Sequence, residues 1–101
     1  MSYFNFGDVI MLGTRIRELR EVRHLSQVEL AEVMHVSKQS ISNWENGNIL
    51  PSVEMVVRLA VFFSVSTDYL LGLDDRVYLE VSGLTKEKIA HLQLLINDIR
   101  A

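Results

Sequence analysis

Four polar side chains near the middle of the chain are spaced so that they fall mainly on one side of a short helix: Lys38, Gln39, Ser42 and Asn43. Residues three and four apart are neighbours on a helix surface. The amides of Gln39 and Asn43 can each donate one hydrogen bond and accept another, which matches the major-groove edge of adenine. Lys38 can donate to guanine or to a phosphate, and Ser42 is small enough for close approach. The set predicts a face that reads DNA bases, the alternative being an ordinary solvated polar surface.

The residues around this face predict two short helices joined by a tight turn. Ser26 followed three residues later by Glu29 is a capping box, which starts a helix at Gln27. Ser37 offers a second N-cap, which starts the next helix at Lys38. The apolar positions at helical spacing are Val28, Leu30, Ala31 and Met34 in the first helix, and Ile41 and Trp44 in the second. Two such helices, the second with polar residues outward, have the shape that enters the major groove.

Five further residues flank this face and are candidates for contacts to the phosphate backbone. Gln27 lies at the N-terminus of the first helix, where its amide and the backbone N–H groups can hold an anion, and Ser37 lies at the start of the second. Asn46 and Asn48 fall in the loop that ends the second helix. Arg15, on a preceding helix, is expected at the surface and within reach of a phosphate.

Together these residues resemble the Cro/repressor, or XRE-type, helix-turn-helix family. The matching positions, in order and at family spacing, are Gly13, Arg15-Ile16-Arg17, Leu19-Arg20, Leu25-Ser26-Gln27, Leu30-Ala31, Val36-Ser37, Ile41-Ser42, Trp44-Glu45, Gly47, Pro51, Leu59-Ala60, Val65-Ser66 and Asp68 to Gly72. The resemblance implies a compact five-helix domain that binds operator DNA. It also implies that Arg20 and Glu45 form a buried ion pair between the first and third helices, so these two are assigned to the architecture.

His35 is a departure from the family pattern. The turn position that it occupies is usually glycine, because the backbone there tends to have a positive φ. Histidine tolerates this conformation less well than glycine, so the turn is expected to store about 1 kcal/mol of strain.

The remaining pattern predicts an all-α chain in three parts. Residues 1–10 form an N-terminal extension, residues 11–72 the helix-turn-helix domain, and residues 73–101 a linker followed by a C-terminal dimerisation helix. Within the domain, a first helix is predicted over residues 11–23 with Leu12, Ile16, Leu19 and Val22 inward. Pro51-Ser52 opens a fourth helix with Val53 on its apolar side, and Ser66 caps a short fifth that Gly72 ends. Residues 77–81 alternate as a short strand would.

Thr85 caps the last helix, which carries an apolar stripe at steps of three and four residues. Its members are Ile89, Leu92, Leu95, Ile96 and Ile99. The stripe must be buried either against its own domain or against a second copy of the chain. Pairing is favoured, because a two-fold symmetric operator is read by two recognition helices one DNA turn apart, roughly 34 Å.

The net charge of −3 and the pI near 5.5 are unusual for a protein that binds DNA. Basic and acidic residues balance between residues 13 and 58, so a few phosphate contacts and helix N-termini must replace a broad basic face. The chain has no cysteine, no apolar run of membrane length and no basic leader, which predicts a cytoplasmic protein without membrane contact. Its three histidines are isolated, and no catalytic or phosphate-loop motif occurs, so neither a metal, a cofactor nor an enzymatic activity is expected.

These observations predict a homodimeric, sequence-specific transcriptional regulator. It would act as a repressor that reads a palindromic operator through its third helix in the major groove. The alternative is an antitoxin or another regulator whose DNA binding is controlled by a partner protein.

Overall fold

The computed structural model describes residues 6–101, with side chains from Met11 onward. Its regular structure in this range is helical throughout, as the sequence predicts. The helices are α1 Phe6–Val22, α2 Gln27–Met34, α3 Lys38–Asn46, α4 Val53–Phe63, α5 Thr67–Leu70 and α6 Lys86–Arg100. Helices α1 to α5 pack on one another, and α6 follows a linker of irregular structure.

Local hydrogen bonds at the helix starts explain where the helices begin. A hydroxyl caps every helix from α2 to α6, the residues being Ser26, Ser37, Ser52, Ser66 and Thr85. The predicted capping box is present: the Glu29 backbone N–H donates to Ser26 Oγ, and the Ser26 backbone N–H donates to Glu29 Oε1, each at 3.0 Å. Each cap satisfies a backbone donor that has no partner within its helix.

The core is formed by the inward faces of the first five helices. Its buried members are Leu12, Ile16, Leu30, Ala31, Met34, Ile41, Trp44, Val56, Leu59, Ala60, Phe63 and Leu70. Three valines predicted to face inward, Val22, Val28 and Val53, are instead exposed. Each lies at a helix end or beside a turn, where the next helix does not cover it.

One predicted helix start and one predicted strand are wrong. Helix α1 begins at Phe6 rather than at Met11, so residues 6–10 continue the helix, while residues 1–5 of the expected extension lie outside the described residues. Residues 77–81 do not form a strand. Their alternation is real, but a strand needs a neighbour that accepts its backbone hydrogen bonds, and the helical domain offers no sheet edge in the described range.

Three residues other than glycine adopt the left-handed conformation at helix ends: His24, His35 and Ser64, with φ of 57°, 56° and 55°. The positive φ predicted for the His35 position is confirmed. Its backbone N–H donates back to the end of α2, toward the Ala31 and Glu32 carbonyls, so the residue closes the helix.

Replacing His35 by Gly should raise the free energy of unfolding by about 1 kcal/mol, because glycine has no Cβ penalty at positive φ. Urea denaturation measures the change. Glu32→Gly is the matched control, since Glu32 is an exposed residue inside α2, where glycine should cost about 1 kcal/mol. A loss of stability in His35→Gly as well would contradict the strain assigned to this turn.

Helix α6 differs from the others because none of its residues is buried. Ile89, Leu92 and Ile96 are half-buried, whereas Leu95 and Ile99 are exposed. Among the helices of residues 6–101, none is both long and apolar enough to cross a bilayer.

Candidate nucleic-acid interface

Helix α3 has two chemically different sides. Ile41, Trp44 and Glu45 are buried against the domain. The opposite side carries the four predicted base-reading residues, of which Lys38 and Gln39 are exposed and Ser42 and Asn43 half-buried. The structure therefore brings these four together on one outward face.

The two amides on this face are already in contact. Gln39 Nε2 donates to Asn43 Oδ1 at 3.1 Å, one helical turn further along α3. This bond orients both side chains and leaves the Gln39 oxygen and the Asn43 amide group pointing to other partners. The face thus presents an acceptor and a donor held in a fixed relation, which is the requirement for recognising a base edge.

The candidate residues for phosphate contacts differ in the hydrogen bonds that they already make within the protein. Ser37 Oγ accepts the Ser40 backbone N–H at 3.1 Å as the cap of α3. Asn46 Oδ1 accepts from Arg17 Nη2 at 2.9 Å, and Asn46 Nδ2 lies 3.3 Å from Ser42 Oγ. Asn48 is exposed, and its backbone N–H donates to the Asn43 carbonyl. Asn46 and Asn48 thus follow directly from the end of the outward face.

Gln27 is more deeply involved in the architecture than expected. Its Nε2 donates to Glu45 Oε1 at 3.1 Å, which joins the start of α2 to the buried side of α3. The amide is half-buried, and its oxygen stays available to a further donor. Gln27 therefore contributes to the relative position of the two helices.

The expectation for Arg15 needs correction, because its side chain is only 8% exposed. Its guanidinium donates to the carbonyl oxygens of Tyr69 and Asp74 and to Asp75 Oδ1, the last two at 2.9 Å and 2.6 Å. It also lies over the Tyr69 ring, 4.1 Å from the centroid. With its donors engaged in this way, Arg15 fastens the start of the linker to α1 and α5 and is not placed to touch a phosphate.

The ion pair between Arg20 and Glu45 is present. Arg20 Nε donates to Glu45 Oε2 at 2.7 Å and Nη2 donates to Oε1 at 3.1 Å, while Nη1 donates to the Leu25 carbonyl at 2.8 Å. The Glu45 side chain is fully buried. This bidentate bond ties α1 to α3 and so fixes the helix that carries the polar face.

Burial acts to raise the pKa of Glu45, but the net pKa is lower than usual. The hydrogen bonds from Arg20 and Gln27, the positive charge of Arg20 and the bond from Arg17 together outweigh desolvation. The hydrogen bond that Arg20 donates to Glu45 raises the pKa of Arg20. Both groups are therefore charged near neutral pH.

Sequence reasoning assigned no contact to two exposed arginines that join separate elements. Arg17 Nε lies 3.5 Å from Glu45 Oε1, and its Nη2 donates to Asn46 Oδ1, so Arg17 connects the buried carboxylate with the last residue of α3. Arg23 donates to the carbonyls of Phe62 and Phe63 at the end of α4, at 3.0 Å and 2.9 Å. The signal for Arg17 is its position one turn before Arg20 on the same helix side, whereas no local signal indicates Arg23.

The order of helices, the turn closed by a left-handed residue, and the outward polar side of α3 together define a helix-turn-helix protein. The helix-turn-helix family matches residues 16–70, which is more than half of the chain. The chain belongs to this family, in its Cro/repressor or XRE-type branch.

Three comparisons describe its neighbours. The chain is 37% identical over 65 residues to the HTH-type transcriptional activator BcrR of Enterococcus faecalis, covering 64% of this chain and 32% of that protein. It is 34% identical over 64 residues to the antitoxin PezA of Streptococcus pneumoniae, covering 63% of this chain and 40% of that protein. The chain thus spans less than half the length of these two relatives.

Among solved structures, the P22 c2 repressor in complex with a synthetic operator superimposes with a TM-score of 0.60. The two are 34% identical, and the match covers 63% of this chain and 97% of that one. Nearly the whole of that repressor chain is therefore matched by a part of this protein.

Proposed function

We propose that this protein is a sequence-specific DNA-binding regulator of transcription whose helix α3 enters the major groove. The observation that carries the proposal is the outward face of α3, where four polar side chains share one side of a helix held by buried contacts on the other. Lys38, Gln39, Ser42 and Asn43 are the proposed base-reading residues. A rigid support matters, because base recognition depends on the position of donors and acceptors.

Phosphate contacts are proposed for Gln27, Ser37, Asn46 and Asn48. They lie at the N-termini of α2 and α3, at the last residue of α3 and in the loop that follows it, and backbone N–H groups at helix N-termini favour anions. Arg17 joins this set, because its side chain is half-exposed beside Asn46. The N-termini of helices supply positive potential without added basic residues, which suits a chain of net charge −3.

The proposed assembly is a homodimer that reads a palindromic operator and represses by occupying it. The half-exposed apolar stripe of α6 supports pairing, and residues 73–101 are proposed as linker and dimerisation helix. The similarity to a repressor crystallised on its operator favours repression, although the activator BcrR has a similar domain. Its target being DNA, the protein is proposed to act in the cytoplasm.

A second function is a regulator controlled by a partner protein. The observation in its favour is the similarity to the antitoxin PezA, together with exposed Leu94 and Leu95 on α6. In that case α6 would bind a different protein rather than a second copy. Selection of bound sequences from a random DNA pool separates the two, because a palindromic winner bound by two chains supports the dimeric reader. No enrichment would favour the partner-controlled protein.

Replacing Gln39 by Ala should cost about 1–3 kcal/mol on the selected operator, and discrimination at one base pair should relax. Binding to the operator and to its single-base variants is measured by fluorescence anisotropy. Asn48→Ala is the matched control: as a proposed phosphate contact it should weaken binding to all variants nearly alike. Equal losses on every sequence for Gln39→Ala would contradict its base-reading role.

A further inference from the structure

A chain of hydrogen-bonding groups runs from the buried Glu45 carboxylate to the outward face of α3. Arg17 Nε lies 3.5 Å from Glu45 Oε1, and Arg17 Nη2 donates to Asn46 Oδ1 at 2.9 Å. Asn46 Nδ2 in turn donates to Ser42 Oγ at 3.3 Å, one helical turn earlier on α3. Arg17 is thereby connected, through Asn46, to one of the four proposed base-reading residues.

The position of Arg17 at this end of α3 is set by charge. The Glu45 side chain is fully buried, and its Oε1 also accepts from Arg20 Nη2 and Gln27 Nε2, each at 3.1 Å. Its negative charge attracts the Arg17 guanidinium, although 45% of the Arg17 side chain stays exposed. A guanidinium that has both a carboxylate and an amide oxygen as partners is held more firmly than one with a single neutral acceptor.

The chemistry of Arg17 fixes the direction of the hydrogen bonds that follow. A guanidinium carries only donors, so the end of the Asn46 amide that faces it must be the carbonyl oxygen. The other end of the same amide is the NH₂ group, which therefore faces Ser42. Without the Arg17 donor, the amide could turn over, and its oxygen could accept a hydrogen bond from Ser42 instead.

The orientation of Asn46 determines what Ser42 offers to DNA. A serine hydroxyl has one proton to donate and two lone pairs that accept. Because Ser42 Oγ accepts from Asn46, the hydroxyl proton must point elsewhere, and the structure gives it no acceptor among residues 11–101. Ser42 is half-buried on the outward face of α3. At this place the face therefore presents a donor.

A donor at Ser42 distinguishes two classes of base. In the major groove, guanine and thymine present the acceptors O6 and O4, whereas adenine and cytosine present the amino donors N6 and N4. A serine that donates is matched by guanine or thymine, and a serine that accepts is matched by adenine or cytosine. The direction of one hydrogen bond thus selects between keto and amino bases.

We propose that Arg17 is a positioning residue for base recognition: through Asn46 it holds Ser42 as a donor, which favours guanine or thymine at the base that Ser42 faces. This rests on the proposed base-reading role of Ser42 and adds the class of base. Arg17 Nη1 and the second amide hydrogen of Asn46 stay available for the phosphate contacts proposed above.

Asn46→Asp tests the direction of the hydrogen bonds, because a carboxylate accepts at both oxygens. One oxygen would still accept from Arg17, and the other would accept the Ser42 proton, so Ser42 would present only lone pairs to DNA. The base pair that Ser42 faces is located on the selected operator as the pair at which Ser42→Ala reduces discrimination. There the wild type should prefer guanine or thymine by about 2- to 10-fold in dissociation constant, and Asn46→Asp should prefer adenine or cytosine.

Asn48→Asp is the matched control, because it adds the same charge at an exposed residue of the loop after α3. The added charge should weaken binding to every sequence nearly alike and leave the preference at the Ser42 base pair unchanged. Ratios taken within one variant remove this common loss, and circular dichroism checks that both variants keep their helices. An unchanged preference in Asn46→Asp would overturn the proposal.

Removing the Arg17 donors should abolish the preference rather than reverse it. Arg17→Met keeps a long unbranched side chain but frees the Asn46 amide, so the ratio of the two dissociation constants should fall to about one. In a Ser42→Ala background, Arg17→Met should change this ratio no further, although the lost charge lowers affinity for all sequences in both backgrounds. A preference that survives Arg17→Met would leave Arg17 with a phosphate contact alone.

The orientation of the Asn46 amide is also measurable by NMR in the free protein. Nuclear Overhauser effects from the Asn46 amide protons to the Ser42 Hβ protons are expected, and effects to the Arg17 guanidinium protons instead would overturn the proposal without DNA. A wild type that discriminates no base pair would remove the proposed function as well. Discrimination that depends on Gln39 but not on Ser42, or that does not reverse in Asn46→Asp, would remove only the positioning role of Arg17.

Discussion

Glu45→Ala is expected to lower the free energy of unfolding by about 3–5 kcal/mol, which is a large part of the stability of a small domain. The substitution removes the carboxylate that receives both Arg20 donors and the Gln27 amide. Arg20 is only 12% exposed, so its charge would be left with little water and without the buried carboxylate that now accepts two of its hydrogen bonds. The loss exceeds that of a surface pair because desolvation is no longer compensated.

Urea denaturation at neutral pH measures this effect, and Glu21→Ala is the matched control. Glu21 also lies near Arg20, with 3.7 Å between Arg20 Nη2 and Glu21 Oε1, but it is exposed. Removing an exposed partner should change stability by at most about 1 kcal/mol. Similar losses for the two substitutions would refute the buried role of Glu45.

The pH dependence of stability provides a second measurement of the role of Glu45, with Glu45→Gln as the variant. Because the pKa of Glu45 is lowered in the folded state, the carboxylate stabilises the fold above its ordinary pKa of 4.5. This stabilisation is lost as the pH falls through the folded pKa. Glu45→Gln cannot take up that proton, so the difference in stability between wild type and variant should shrink below pH 4.5.

The helix-turn-helix segment could be predicted from sequence because its determinants are local. The bonds between Ser26 and Glu29 join residues three apart, and Ile41 and Trp44 occupy one side of a single short helix. A left-handed residue between α2 and α3 is likewise a property of one turn, here His35. Such features depend little on the rest of the chain.

The parts that sequence reasoning missed depend on distant residues. Arg15 bonds groups 54 to 60 positions away, in α5 and the linker, and its type alone suggested a surface charge. The hydrogen bond from the Gln27 amide to the Glu45 carboxylate on another helix was likewise not predicted. Residues 77–81 have the alternating apolar and polar residues of a strand, yet the described part of the helical domain offers no neighbouring strand for backbone hydrogen bonds. In each case the packing between helices determines the contact. The spacing of residues along the chain does not indicate that packing.

The same distinction applies to the candidate site. Because α3 is a regular helix, spacing alone is sufficient to place four polar residues on one face: Lys38, Gln39, Ser42 and Asn43. How firmly that face is held is a tertiary property. It depends on the bond from Gln27 and the ion pair with Arg20, both of which act on Glu45 from other helices. The polar face is therefore predicted by sequence, whereas the rigidity of its support comes from the fold.

Gly13→Ala is the second substitution with a large expected effect, a loss of about 3 kcal/mol in the free energy of unfolding. A Cβ at Gly13 would lie 2.6 Å from the Trp44 carbonyl oxygen and 2.7 Å from that of Glu45. Both atoms belong to the backbone of α3, so they cannot turn aside as a flexible side chain could. Helices α1 and α3 would have to separate, which would also stretch the Arg20–Glu45 bonds.

The sign of this effect is diagnostic, because glycine to alanine inside a helix ordinarily stabilises a protein by about 1 kcal/mol. Thr14→Ala, at the next and exposed position of α1, is the matched control and should change stability by at most about 0.5 kcal/mol. Thermal and urea unfolding measure both variants. Since α3 is displaced along with its polar face, Gly13→Ala should also weaken operator binding at temperatures where it is still folded. A stabilised Gly13→Ala would mean that α1 and α3 do not approach as closely as the structure has them.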